Sequence, residues 1–387
     1  MTSASHALPR ILHIGAGASA RLGEVLQQLG VSKPLIITDA FLDEHGAVAR
    51  LRAPLDEAGV TSVVFPGTRP DPTTDSVGEA VRVLREGDFD CVVGFGGGSP
   101  MDTAKAVALL GTTRHEMRRY KAPAVTNQPT LPLIAVPTTA GSGSEATRFT
   151  IITDSASTEK MLCAGLAFLP VAALVDYELT MGMPPRLTAD TGIDALTHAI
   201  EAYVSRRATP FSDGMALTAM RTIAANLRNV YRDPGNRPAR EAVMLGATQA
   251  GIAFSNSSVA LVHGMSRPLG AHFHLAHGLS NAMLFPAVTR FSVGSAPDRY
   301  ADCARAMGLG GVRDPDETAA ARLADELDAL NRDLDVPTPE RFGLCADRWR
   351  EMTPLMAEQA LASGSPANNP RVPSRSEVED LYATVWA

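Results

Sequence analysis

Cysteine is scarce: the 387 residues contain four, Cys91, Cys163, Cys303 and Cys345, and no two form a CxxC pair. Thiolate zinc sites and a disulfide framework are thereby excluded, and a reducing, cytoplasmic setting is expected. Excess positive charge is also lacking, with charged residues at 20% and a formal net charge of -7, so nucleic acid is not an expected partner. Nowhere do 18 apolar residues run together, and the opening MTSASHALPRILHIG has no basic stretch followed by an apolar core and a cleavage site. Neither membrane insertion nor export is expected. Internal repeats are absent, and the polar stretch ASGSPANNPRVPSRS (362–376) reads as a loop before a last helix.

Hydrophobic residues make up 45% of the chain, enough for more than one core, so two domains are expected. Up to about residue 180, apolar β-branched runs alternate with amphipathic segments. PLIITD (34–39), TSVVFP (61–66), DCVVGF (90–95), LPLIAVP (131–137) and AALVD (172–176) read as buried strands, and SVGEAVRVLREG (76–87) as a helix between two of them. Alternation of this kind predicts a mostly parallel sheet covered on both faces. After MPPRLTAD (183–190), alanine-rich helical patterns such as TGIDALTHAIEAYVS take over. The fold class is therefore an α/β dinucleotide-binding domain over 1–182 followed by an all-α domain over 183–387, with Pro184 and Pro185 marking the break.

Three glycine-rich stretches are candidate ligand loops. GAGASA (15–20) fits the loose fingerprint G-x-G-x-x-A, with Asp39 closing the next strand, but fits a plain strand-to-helix turn equally well. GFGGGSPMDTAK (94–105) lacks the Gly-Lys-Ser/Thr of a phosphate-binding P-loop, yet is the better cradle. Ser99 reads as a helix cap, Pro100 suits the first turn, and Asp102 completes a variant capping box. Gly96, Gly97 and Gly98 would then leave bare backbone at the positive end of a helix, where an anion can approach. PTTAGSGSEAT (137–147) leaves a strand with small hydroxylated residues, suited either to a ribose, phosphate or amide or to a solvated turn. Its place on the same sheet edge favours the ligand.

The helical half carries a different chemistry. Asp194 and His198 are four apart, so they share one helix face. His263, His272, His274 and His277 crowd a short stretch of a chain with nine histidines in all. A carboxylate with several imidazoles and no thiolate suits iron(II) or zinc(II).

Together GGGSPMDTAKA, PTTAGSGSEAT, MPPRLTADTGIDALTHAIEAYVS and LVHGMSRPLGAHFHLAHGLSNAM resemble the iron-containing (group III) alcohol dehydrogenase family, which has a dehydroquinate synthase-like fold. The resemblance runs from about residue 10 to SEVEDLYATVW. It implies a dinucleotide-binding α/β domain, a helical domain, an active site in the cleft between them and a homodimer or larger assembly. It implies Asp194, His198, His263 and His277 as ligands of iron(II) or zinc(II). It puts the pyrophosphate of NAD on Gly97, Gly98 and Ser99, and the nicotinamide side near Thr138, Thr139, Ser142 and Ser144, with Lys160 close to the cofactor. Asp39 matches the carboxylate that holds the adenosine ribose and repels a 2′-phosphate, implying NAD rather than NADP. The implied reaction is hydride transfer between NAD(H) and an alcohol or aldehyde, with the metal as Lewis acid. Phe254 matches an aromatic position of the substrate pocket.

Two positions depart from the pattern. Arg267 stands where many members have a histidine near the metal, and arginine cannot act as a base at neutral pH. His274, or a water it holds, is then expected to relay protons, while Arg267 either binds a substrate carboxylate, as in a 4-hydroxybutyrate-type dehydrogenase, or forms a structural ion pair. Tyr177 replaces the proline usual in that turn. A dehydroquinate synthase-type lyase would need more Lys and Arg around the metal than LVHGMSRPLG supplies, and maleylacetate reductases lack the full ligand set found here. A catalytically silent NAD-binding protein would leave that ligand set without a purpose.

Overall fold

Neighbouring residues of each apolar run face opposite sides of one sheet, and both sides are covered. In the computed structural model, which describes residues 3–311 and 313–387, the strands β1 (Ile11–Ile14), β2 (Pro34–Asp39), β3 (Val63–Thr68), β4 (Cys91–Gly96) and β5 (Leu133–Pro137) form a parallel sheet with β8 (Ala172–Val175). Leu35, Ile37, Val92 and Leu133 enter one core, while Ile36, Val93 and Ile134 enter the other. That alternation is the period of two expected of a strand buried on both faces. The helices that cover them are α1 (Leu22–Leu29), α2 (Ala40–Glu44), α3 (Ala47–Glu57), α4 (Thr74–Glu86) and α5 (Gly98–Leu110).

The spatial order is β1-β8-β5-β4-β2-β3. The chain steps outward from β2 to β3 and then returns through β4 to β5 and β8, so the direction of winding reverses beside β2 and β4. Ligands of open α/β sheets collect beyond the carboxyl ends of strands at such a reversal. Asp39 ends β2 and Gly96 ends β4 there.

Two elements differ from the expected ones. TSVVFP forms its strand two residues later, over Val63–Thr68, where Leu35 pairs with Val63 and Asp39 pairs irregularly with both Gly67 and Thr68 at the other end. A separate antiparallel pair, β6 (Phe149–Thr153) and β7 (Lys160–Ala164), was not expected; its alternating burial gives each strand too few apolar residues to stand out.

This unit spans His6–Met181; the other comprises Gly182–Ala387 with residues 3–5. Among the described residues of the second unit every regular element is helical. Its helices are α6 (Pro185–Val204), α7 (Pro210–Arg232), α8 (Arg237–Ser255), α9 (Leu261–Phe273), α10 (His277–Val293), α11 (Pro297–Ala306), α12 (Asp316–Asp333), α13 (Pro339–Phe342), α14 (Ala346–Ala362) and α15 (Arg375–Thr384). Pro184 precedes α6 and Pro185 opens it, where a missing amide costs nothing. α6 packs against α7, α8 and α10 and is buried almost throughout. No described helix is long and apolar enough to cross a membrane.

Candidate active site

The anion cradle forms where three strand ends meet. Gly96, with φ of 147°, takes a backbone shape that side chains rarely adopt, and an added Cβ would lie 2.5 Å from Pro100 Cγ. The tight exit from β4 therefore needs glycine at this position. Gly96 O accepts from the amide of Thr138, which ties the cradle to the loop after β5. Positions 97 and 98 face that loop: a Cβ on Gly97 would lie 3.3 Å from Thr139 Cγ2, and one on Gly98 would lie 3.6 Å from Ser142 Cβ. Gly97, Gly98, Ser99, Thr139 and Ser142 stay partly accessible while their neighbours are buried. The helix α5 starts at this opening with no side-chain cap, and the first amides of a helix have no intrahelical partner, so the place suits a phosphate.

The cap of α5 differs from the expected one. Its N-cap is Gly97, with no side-chain cap bond, and Ser99 lies inside the first turn with its carbonyl accepting from Thr103 Oγ1. Glycine is an acceptable N-cap, so the helix starts before the serine. Asp102 completes no capping box; its carboxylate accepts from Ser144 Oγ and from the amide of Ile151. It thus fastens the hydroxylated loop to α5 instead of closing the helix.

Lys105, one turn further on, was not singled out from the sequence. It is fully buried, and its Nζ donates to Thr147 O, Thr147 Oγ1 and Phe149 O at 3.0, 2.9 and 2.7 Å. Burial pulls its ammonium down to about 8 against the opposing pull of Asp102 and Glu145. Lys160 Nζ donates to Asp71 Oδ1 at 2.8 Å. Asp39 accepts from the amide of Leu42 and so caps α2 at the end of β2.

The early GAGASA loop is a turn already filled by the protein's own anion. Asp176 accepts from the amides of Gly17 and Ser19 at 3.2 and 3.1 Å and from Ser19 Oγ at 2.6 Å. β1 also lies at the sheet edge, away from the reversal.

In the other unit, Asp194, His198, His263 and His277 converge, with one donor atom from each lying within 4.8 Å of all the others. The four-residue spacing on α6 aligns the first two, α9 brings His263, and His277 opens α10. Asp194 Oδ1 lies 3.5 Å from His263 Nε2, 3.7 Å from His277 Nε2 and 3.8 Å from His198 Nε2. A tetrahedral ion with bonds near 2.1 Å separates its ligand atoms by about 3.4 Å, and the three distances from Asp194 lie within a few tenths of that spacing, while the whole donor set spans up to 4.8 Å. Asp194, His198 and His263 are buried, whereas the His277 side chain is 44% exposed, so the cluster opens on that side.

The surroundings call for a cation. Burial works against the charge of Asp194, but His198, His277 and His263 outweigh it and hold the carboxyl well below its usual range. Burial likewise works against protonated His263, yet Glu201 and Asp194 push it up to about 9. Asn281 Nδ2 points among the donors, 2.7 Å from Asp194 Oδ1, 3.2 Å from His263 Nε2 and 3.3 Å from His277 Nε2. A carboxylate and three imidazoles thus converge in a largely buried place, a donor set that suits a divalent ion.

Glu201 and Asn281 were missed by sequence reasoning. Glu201 Oε2 lies 2.6 Å from His263 Nδ1, leaving Nε2 for a metal, and the same carboxylate accepts from the amides of Ala260 and Val262 at the start of α9. The spacing could have revealed both: Glu201 continues the face of Asp194 and His198, and Asn281 follows His277 by four. Phe254 and His263 both stack on His198, at 4.2 and 4.5 Å between ring centroids. His274 is exposed at the end of α9, with φ of 55°. Arg267 is partly buried one turn beyond His263, and among the described residues no hydrogen bond or ion pair engages its guanidinium.

Comparison with known proteins covers both units. The family described as iron-containing alcohol dehydrogenase matches residues 9–177, and the Fe-containing alcohol dehydrogenase family, C-terminal, matches residues 188–386. The chain is 36% identical over 375 residues to the lactaldehyde reductase of Escherichia coli (strain K12), spanning 96% of this chain and 97% of that one. It is 35% identical over 375 residues to the NAD-dependent methanol dehydrogenase of Bacillus methanolicus, spanning 97% of each. A solved 1,3-propanediol oxidoreductase superposes with a TM-score of 0.95 at 34% identity, over 99% of this chain and 100% of that one.

Proposed function

The chain belongs to the iron-containing alcohol dehydrogenase family, and from that premise we propose that it transfers hydride between NAD(H) and a short-chain primary alcohol or aldehyde at a divalent metal, iron(II) or zinc(II). The observation that carries this reading is the complete set of four converging donors, Asp194, His198, His263 and His277, with Glu201 fixing the tautomer of one. When bound, the ion supplies Lewis acidity at the substrate oxygen and NAD+ supplies the hydride acceptor, so that an alcohol and NAD+ give an aldehyde, NADH and one proton.

The chain's own residues do the rest. Backbone amides at Gly98 and Ser99 bind the pyrophosphate, with Gly97 keeping the approach clear, and the hydroxyls of Thr138, Thr139 and Ser142 orient the nicotinamide side. Asp102 and Ser144 hold that loop in place, as Lys105 does from behind. Asp39 accepts from the adenosine ribose and disfavours a 2′-phosphate. Phe254 covers one face of His198 and keeps water from it. Arg267 keeps its charge and cannot take a proton, so the alcohol proton leaves through His274, exposed at the end of α9, or through a water it holds.

The test is NADH absorbance with a panel of C2–C4 primary alcohols and 4-hydroxybutyrate, before and after chelation and after reloading with iron(II) or zinc(II). Turnover that disappears on chelation and returns on reloading is expected. Metal-loaded protein that binds NADH but turns over none of the panel would overturn the reading.

A further inference from the structure

Resting on that dehydrogenase reading, we infer that Arg267 is an anion-binding residue of the substrate site and that the preferred substrates carry a carboxylate at the end remote from the reacting carbon. They are short ω-hydroxy acids and the corresponding semialdehydes.

The other described arginines of this helical unit that are buried or partly buried are engaged. Arg299 pairs with Asp213, Arg186 with Asp190 and Arg228 with both Glu326 and Asp333, while the buried Arg240 donates to Pro234 O, Thr188 Oγ1 and Met183 O. Arg267 differs: it is partly buried, and among the described residues nothing pairs with it. Burial lowers the hold of its guanidinium on the proton, and Glu201 is the one carboxylate whose charge acts the other way. Glu201 is not hydrogen-bonded to it: Oε1 accepts from the amide of Val262, and Oε2 accepts from the amide of Ala260 and lies against His263 Nδ1.

Arginine stays charged, and removing a charge from water without a partner is costly. Such a residue, four positions after His263 and so on the same helix face, puts a positive charge one helical turn from a metal-ligand candidate. A carboxylate matches the guanidinium in shape and charge, with two parallel N–H donations to its two oxygens. A neutral alcohol would leave the guanidinium unpaired. The position of the charge relative to His263 thus selects for a substrate with an alcohol at one end and an anion at the other.

The test compares 4-hydroxybutyrate with 1-butanol, equal in carbon number, on the metal-loaded enzyme with NAD+, in the native protein and in Arg267→Ala and Arg267→Lys. The native protein is expected to favour the hydroxy acid. The kcat/KM ratio of acid to alcohol is expected to fall about 10- to 100-fold in Arg267→Ala, the range for losing a hydrogen bond to a charged group, and by less in Arg267→Lys. In parallel, butyrate is titrated calorimetrically into the native enzyme with NADH bound; binding that is lost in Arg267→Ala is expected. An unchanged ratio, or butyrate binding equal in native and variant protein, overturns the inference. If Arg267→Ala does not fold, Arg267→Met, closer in bulk, takes its place. If neither alcohol is turned over, the dehydrogenase reading fails by itself, and the butyrate titration still decides the role of Arg267.

Discussion

Glu201 and His263 are joined by a 2.6 Å contact between Oε2 and Nδ1, although they lie 62 residues apart in the chain. The same carboxylate caps α9 through the amides of Ala260 and Val262, so one side chain both fixes the start of the helix and sets which nitrogen of His263 faces Asp194. The pose of the imidazole and the placing of α9 are therefore one structural event.

Glu201→Gln separates shape from charge. The amide keeps the size of the side chain but replaces one acceptor with a donor, so one of three N–H groups loses its partner in a buried place, at a cost of about 1–3 kcal/mol. The ring of His263 is then held less firmly, and metal affinity is expected to fall about 10- to 100-fold. Metal content after dialysis against a buffered chelator checks this, together with recovery of turnover in excess metal. Equal metal retention by variant and native protein would show that Glu201 only caps the helix.

Coenzyme choice is tested at Asp39, whose side chain has two roles. It accepts from the amide of Leu42 as the cap of α2, and it stands at the reversal of winding next to the cradle after β4. Asp39→Ser keeps a capping oxygen and removes the charge. The kcat/KM ratio of NADP+ to NAD+ is expected to rise about tenfold or more, the effect of relieving roughly 1.4 kcal/mol of repulsion with a 2′-phosphate. Initial rates with the two coenzymes check it. A constant ratio would mean that Asp39 does not face the ribose.

Much of the framework is legible in the sequence because burial on both faces leaves uninterrupted apolar runs, as in PLIITD and LPLIAVP. The β6 and β7 pair is not legible, since Phe149–Thr153 buries only alternate residues and five positions hold too little pattern. At the metal cluster Asp194 and His198 declare themselves by their spacing on one helix. Glu201 shares that face by spacing, but a glutamate on a helix reads as solvated until the start of α9 is seen to lie against it. The cap of α5 misleads for a related reason: Ser99 is the usual capping residue type, but Gly97, without any side chain, already begins the helix. GAGASA shows the converse, since only the fold reveals that Asp176, more than 150 residues away, fills its amides.

Gly278 is where packing and metal chemistry meet most closely. It follows His277 at the start of α10, and a Cβ there would lie 2.3 Å from Asp190 O and 2.7 Å from Asp190 C. These are backbone atoms of α6, so the contact cannot be relieved by turning a side chain. Gly278→Ala must push the start of α10 away from α6, and His277 moves with it, away from Asp194 on that same helix. The expected result is a loss of about 1–3 kcal/mol of stability from overpacking, together with weaker metal retention. Gly294, at the other end of α10, has φ of -64°, and a Cβ added there would meet nothing within 4 Å, so Gly294→Ala is expected to change stability by no more than about 0.5 kcal/mol. Thermal unfolding and metal content, measured with and without added ion, distinguish the two. If Gly278→Ala keeps its metal while losing stability, the cluster tolerates a displaced α10, and His277, its most exposed member, is not essential for holding the ion.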